Sequence, residues 1–188
     1  NNIYAEEIAT QKVDQLTSDG TRKLINGTFD WAYEEEFFCR DGFRWSPDSR
    51  SIAFWQIDAR GTKDYLMVNN TDSIYPTAIP VEYPVAGESP SPFKIGVVEL
   101  QTKQLKWMNI PYDHSMGSYA PRMEWVNANQ LVVQHLDRKQ QQSTLLLTDV
   151  KTGVASSLYK EYDSAWIDIM PSWDQDYANG GWDWLNGG

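Results

Sequence analysis

The sequence has no second cysteine to pair with Cys39, so an internal disulfide is excluded. Its only histidines are His114 and His135, and with Cys39 they give no zinc-binding spacing; neither a metal nor a cofactor is expected. Basic residues are also scarce: 16 against 26 acidic ones leave a formal net charge of −10. That field repels a nucleic-acid backbone or an anionic membrane surface and suits a cationic ligand. No apolar run reaches the length of a membrane span. Asn1 lacks the methionine, basic flank and apolar segment of a signal peptide, so the start reads as cut. A Gly-x-Ser-x-Gly nucleophile elbow is missing too, and neither histidine lies in a recognisable triad setting, so no catalytic residue is expected in this chain.

What the sequence does hold is apolar and aromatic. Its 188 residues are 41% hydrophobic and 13% aromatic, enough to bury a core. Nine tryptophans and ten tyrosines beside twelve glycines and nine prolines suit short strands and tight turns, which makes all-β the expected class. Two glycosylation sequons, at Asn26-Gly27-Thr28 and Asn69-Asn70-Thr71, arise by chance in many proteins and carry little information.

Residues 2–10 and 11–17 form two strand-like runs. Then Phe43-Arg44-Trp45 ends in a Ser-Pro-Asp turn signal, and runs at 52–58, 93–100 and 104–110 complete four strands. The order returns at 122–125, 130–137, 144–150 and 154–159, and begins a third time at 182–188. Trp45, Trp125 and Trp184 align. Four-stranded units with a tryptophan near the end of the first strand fit β-propeller blades, each burying both faces against its neighbours; a β-sandwich is the alternative. In this phase the chain holds about two and a half four-stranded blades. Residues 1–188 then belong to one propeller domain truncated at both ends, with its open edges covered by chain outside this sequence.

Two departures from the repeat stand out. Residues 18–42 are longer than the usual connection between blades and contain Asp30-Trp31-Ala32-Tyr33-Glu34-Glu35-Glu36-Phe37. Asp30 suits a helix N-cap, which predicts a short helix near 31–38 with its carboxylates toward the positive end of the dipole. Neighbouring glutamates converge on one ammonium only if the segment is helical. The alternative is a solvated acidic first turn, with Trp31, Tyr33, Phe37 and Phe38 packing to anchor it. The second departure is a long hairpin arm near 59–92, either a partner surface or a flap folded over its own blade. A smaller insertion at 166–181, carrying Trp173, Asp174, Asp176 and Tyr177, is either a cleft wall or a packed loop.

The segment at 30–37, Arg44-Trp45-Ser46-Pro47-Asp48 and Tyr83-Pro84-Val85-Ala86-Gly87 together resemble the N-terminal propeller of the dipeptidyl peptidase IV family. The resemblance implies an eight-bladed propeller capping an α/β-hydrolase domain that lies outside this chain. It also implies a serine exopeptidase that releases X-Pro or X-Ala dipeptides from peptide N-termini. By the same resemblance Glu35 and Glu36 bind the substrate's free α-ammonium, Glu34 is flanking, and the 59–92 arm supports a homodimer. An extracytoplasmic setting, periplasmic, secreted or cell-surface, goes with that expectation. A paired charge two residues from the scissile bond would act as a ruler, because a substrate without a free amine leaves both carboxylates unpaired. A competing expectation is a non-catalytic interaction module that works through the arm.

Overall fold

The computed structural model describes residues 1–169. The chain opens with a hairpin of β1 (Tyr4–Glu7) and β2 (Lys12–Gln15), then runs through β3 (Leu24–Asn26), helix α1 (Trp31–Glu36), β4 (Phe43–Trp45) and β5 (Ser51–Asp58). After a 3-10 turn at Ala59–Gly61 come β6 (Asp64–Asn69), β7 (Thr77–Glu82), β8 (Phe93–Glu99) and β9 (Leu105–Trp107). The last described strands are β10 (Ser118–Asn127), β11 (Gln130–Asp137), β12 (Gln142–Asp149) and β13 (Ala155–Tyr162). The third repeat expected at 182–188 lies outside the described residues, as do Trp173, Asp174, Asp176 and Tyr177.

Each main sheet is a meander. One runs β3-β5-β8-β9 with β4 also on β5, and the other runs β10-β11-β12-β13, all pairs antiparallel. Alternation along β5 distinguishes propeller from sandwich. Ile52 and Phe54 pack toward the leading hairpin with Ile3, Leu16 and Val98. Ala53, Trp55 and Ile57 face the opposite way, into a core shared with Met123, Leu131 and Val133 of the next sheet. A strand buried on both faces places its sheet between two neighbours, as a blade is and as a sandwich sheet is not. Close stacking tolerates no side chain at Gly96, where a Cβ would come within 2.9 Å of the Phe54 and Trp107 rings.

Of the aligned tryptophans, Trp45 and Trp125 are structurally equivalent, and Trp184 lies outside the described residues. Trp45 pairs with Ile52 and Trp125 with Leu131, in each case the second residue of the following strand. Both face the preceding unit. Trp125 donates its indole N–H to the Arg44 carbonyl at 3.0 Å, while Trp45 lines a crevice beside Asn2–Glu6 of the hairpin.

The acidic segment enters differently from the expectation. It does not connect two blades but interrupts a strand: β3 pairs with Gln56, Ile57 and Asp58, and β4 with Ile52, Ala53 and Phe54, so the two short pieces share β5 end to end. Residues 27–42 loop out between them. The neck is closed by Gly27 N–H to Trp55 O at 2.9 Å, Trp55 N–H to Gly42 O at 3.0 Å and Gly42 N–H to Gly27 O at 3.1 Å. A Cβ on Gly42 would lie 2.8 Å from the Gly27 carbonyl carbon and the Thr28 nitrogen, which is why the neck needs glycine. In the next blade the corresponding strand, β10, is continuous.

The arm is confirmed as a hairpin that stands off its blade. Among the described residues β6 and β7 pair only with each other, in register from Asp64↔Glu82 to Asn69↔Thr77. Arg22 pairs with both Asp64 and Glu82, and Lys23 reaches Asp64 at 2.9 Å, which ties the arm's base to the start of β3. The Pro-rich return is buried at Ser91, whose hydroxyl meets that of Thr62 at 3.1 Å. One sequon is structural: the Asn26 amide is buried, donating to Asp19 at 2.9 Å and accepting from Gln56 at 2.8 Å.

Candidate functional site

Asp30 caps α1 as its sequence position suggests, accepting the Tyr33 N–H at 3.2 Å. The helix is shorter than the 31–38 expected. Phe37 is its C-cap and Phe38 turns into the left-handed region at φ 55°, while the Cys39 N–H returns to the Tyr33 carbonyl at 3.1 Å. Only Glu34 therefore lies in the first turn. Glu35 and Glu36 sit at the carboxyl-terminal end, where the helix dipole disfavours carboxylates and favours a cation, a correction to the orientation read from the sequence.

The helix is held by its aromatic face. Tyr33 is fully buried, stacks on Phe29 at 5.3 Å and accepts the Ala120 backbone N–H on its phenol oxygen at 3.0 Å. Phe37 packs edge-on against Tyr119 at 5.0 Å. Cys39 reaches the Pro121 carbonyl through its thiol at 3.3 Å, and burial pushes that thiol up to about 12, so it is an inert packing group. Tyr33 and Phe37 thus anchor the helix as expected. Trp31 stays partly exposed with its ring 4.3 Å from Tyr83 at the root of the arm, and Phe38 is exposed.

With Tyr33 and Phe37 turned inward, Ala32, Glu35 and Glu36 share another face at helical i, i+3, i+4 spacing. All three line one hollow of about 480 Å³. Its other walls are Trp31, Pro84 at the end of the arm, Tyr119 of β10, Trp166, and Arg138, Lys139, Gln140 and Gln141 of the β11–β12 turn. Gln140 donates its amide N–H to Glu36 Oε1 at 2.5 Å. The Arg138 guanidinium lies 5.7 Å from the centre of the Tyr119 ring. Burial raises the Tyr119 phenol above its usual value, Arg138 offsets part of the rise, and Glu36 adds to it, so the hydroxyl is protonated at neutral pH.

The sequence singles out both glutamates as candidates, but not the residues that line the hollow with them. Nothing in Arg138-Lys139-Gln140-Gln141 distinguishes it from an ordinary polar turn, and no spacing links it to residues a hundred positions earlier. His114 and His135 do not line the hollow. Among the described residues no group of three or more His, Cys, Asp or Glu side chains could hold a metal ion. A second hollow, of about 340 Å³, lies between α1 and the arm and is lined by Trp31, Tyr65, Met67, Val81 and Tyr83. Among the described residues no helix is long and apolar enough to cross a membrane.

A family model described as the N-terminal region of dipeptidyl peptidase IV matches residues 1–180. Among curated relatives, the chain is 33% identical to inactive dipeptidyl peptidase 10 of Mus musculus, over 89% of this chain and 22% of that protein. It is 28% identical to dipeptidyl aminopeptidase B of Saccharomyces cerevisiae, over 90% of this chain and 22% of the relative. The crystal structure of Porphyromonas gingivalis dipeptidyl peptidase 4 superposes with a TM-score of 0.82 at 29% identity, covering 89% of this chain and 24% of that one. The chain thus spans about a quarter or less of the length of these relatives.

Proposed function

Because this chain belongs to the dipeptidyl peptidase IV family, matching its N-terminal region, we propose that it is the propeller portion of a serine exopeptidase that releases X-Pro or X-Ala dipeptides. In this reading residues 1–188 belong to a single propeller domain, and an α/β-hydrolase domain elsewhere in the full-length chain carries the triad. Glu35 and Glu36 hold the free α-ammonium of the peptide. The observation that carries the reading is that both carboxylates lie on one face of α1 and line the same hollow. At neutral pH two carboxylates, with reference pKa values of about 4.3, offer negative charge to one ammonium. Acetylating the amine removes the cation and leaves the two charges uncompensated.

The test is calorimetric titration of the full-length protein with an Xaa-Pro dipeptide and with its N-acetyl derivative. The free amine binds and the acetylated peptide binds at least ~100-fold more weakly, the order expected when a charge-assisted pair is lost. Equal affinities sink the assignment. Such a test does not depend on turnover, which matters in a family with a member named inactive. An extracytoplasmic setting accompanies the reading, in keeping with a relative named venom dipeptidyl peptidase 4 from Apis mellifera, 26% identical over 91% of this chain and 24% of that protein.

A second reading, a non-catalytic module that binds partners through the arm, is favoured by the exposure of Tyr65, Leu66, Met67, Val68, Ile74 and Tyr75 there. The same exposure fits a homodimer formed through the arm. The two readings separate at the hydrolase domain: a Gly-x-Ser-x-Gly elbow downstream, followed by Asp and His, belongs to the peptidase, and loss of the serine to the module.

A further inference from the structure

We propose that Gln140 is a positioning residue for the amine anchor: its side-chain amide fixes Glu36 in the orientation that receives the ammonium, without neutralising it. This rests on the reading of Glu35 and Glu36 given above, and it is carried by the surroundings of Gln140 rather than by the glutamates. Gln140 is a polar side chain only 5% exposed, and its Nε2 is 2.5 Å from Glu36 Oε1. Its backbone is held at φ 55°, in the left-handed region that glycine or asparagine occupies at lower cost.

The turn around it is pinned on both sides. The Gln140 N–H bonds the Asp137 carbonyl at 3.0 Å, and its own carbonyl accepts the N–H of buried Ile167 at 2.7 Å. Asp137 Oδ1 accepts the N–H groups of Gln141 at 2.7 Å and Gln142 at 2.9 Å. A tight turn that places a glutamine where glycine would be easier retains a local cost, and the hydrogen bond to Glu36 is what that side chain supplies in return.

The choice of donor is chemically specific. Glu36 is exposed and sits on a six-residue helix, so its rotamers are free unless something holds them. Lysine or arginine in the same place would orient the carboxylate and also cancel its charge, competing with the ligand. A neutral amide occupies one oxygen and leaves the charge and the remaining lone pairs for the incoming ammonium. Gln140 arrives from the turn of the next blade, so the anchor is completed only when the two blades are packed together.

The experiment is steady-state hydrolysis of a free-amine Xaa-Pro chromogenic anilide by the full-length protein, comparing wild type, Gln140→Gly, Gln140→Met, Glu36→Ala and Gln140→Gly/Glu36→Ala. Gln140→Gly relieves the left-handed backbone, so a purely structural role predicts an unchanged KM and an unchanged or higher unfolding temperature. A positioning role predicts about a tenfold rise in KM with kcat within about twofold and an unfolding temperature likewise unchanged or higher, the order of one hydrogen bond to a charged group. Gln140→Met, similar in length but without the N–H, gives the same rise. In the Glu36→Ala background Gln140→Gly adds nothing further. If Glu36→Ala raises KM while both Gln140 variants stay within twofold of wild type, the positioning role is overturned and the amine anchor survives. If Glu36→Ala itself leaves KM unchanged, the anchor reading falls and this inference falls with it.

Discussion

The phenol oxygen of Tyr33 accepts the backbone N–H of Ala120 at 3.0 Å, a bond that joins the helix carrying Glu35 and Glu36 to the first strand of the following blade. Tyr33 is fully buried, so Tyr33→Phe keeps the ring and leaves the Ala120 N–H without its acceptor. The expected cost is about 1–3 kcal/mol, read as a lower unfolding midpoint of the full-length protein. Affinity for a free-amine ligand falls as well, since the helix loses its tie. Burial also raises the Tyr33 phenol well above its usual value. The folded state then holds that proton more tightly than the unfolded chain, and this contribution to stability is lost as pH rises above about 10.

Asp30 gives a second titration of the same sign. Burial raises its carboxyl above the usual aspartate value, and the hydrogen bond from the Tyr33 N–H offsets only part of the rise. Its contribution to stability is complete below about pH 4 and declines as pH rises through the raised folded-state value. Asp30→Asn keeps an oxygen for the helix cap and removes the buried charge. Chemical denaturation from pH 4 to 8 therefore finds this variant as stable as wild type or more so at pH 7, with a flatter pH dependence. Asp30→Ala loses the cap and costs about 0.5–2 kcal/mol.

Gly42→Ala tests the neck of the loop that carries the candidate site. The new methyl would sit 2.8 Å from the Gly27 and Thr28 backbone, and the adjoining pieces β3 and β4 would have to part. A loss of about 1–3 kcal/mol is expected from such overpacking, measured by urea denaturation.

Arm-mediated dimerisation is tested by replacing residues 64–82 of the full-length protein with a short turn. The expected outcome is that the intact protein sediments as a dimer and the shortened one as a monomer. A shortened protein that still sediments as a dimer overturns the role of the arm.

Most strands could be read from the sequence, because alternation and turn residues act locally: residues 130–137 were expected as a strand and β11 spans Gln130–Asp137. The arm and the repeat were legible for the same reason, as was the helix start at Asp30. What the sequence hid is relational. Leu24-Ile25-Asn26 is too short to show a period, and only its pairing with the far half of β5 reveals it as half of a strand that Phe43-Arg44-Trp45 completes. The start of β10 at Ser118 is hidden in the sequence because Pro121 discourages a strand reading there. The helix stops at Glu36, two residues short of the expected end, because Phe38 takes a left-handed conformation that no side-chain pattern announces. Glu35 and Glu36 are candidates through their neighbours in sequence. Tyr119, Arg138 and Gln140 join them only through blade stacking, which no local pattern encodes.

The central claim is that Glu35 and Glu36 hold the substrate's α-ammonium, and kcat/KM of the full-length protein for a free-amine X-Pro anilide tests it most directly when wild type is compared with Glu35→Gln/Glu36→Gln. The double variant keeps the shape of both side chains and removes both charges. A fall of about 100-fold or more is predicted, together with loss of the rise in KM expected of wild type as the ammonium deprotonates near pH ~8. A kcat/KM within about twofold of wild type, with the pH dependence retained, would contradict the account.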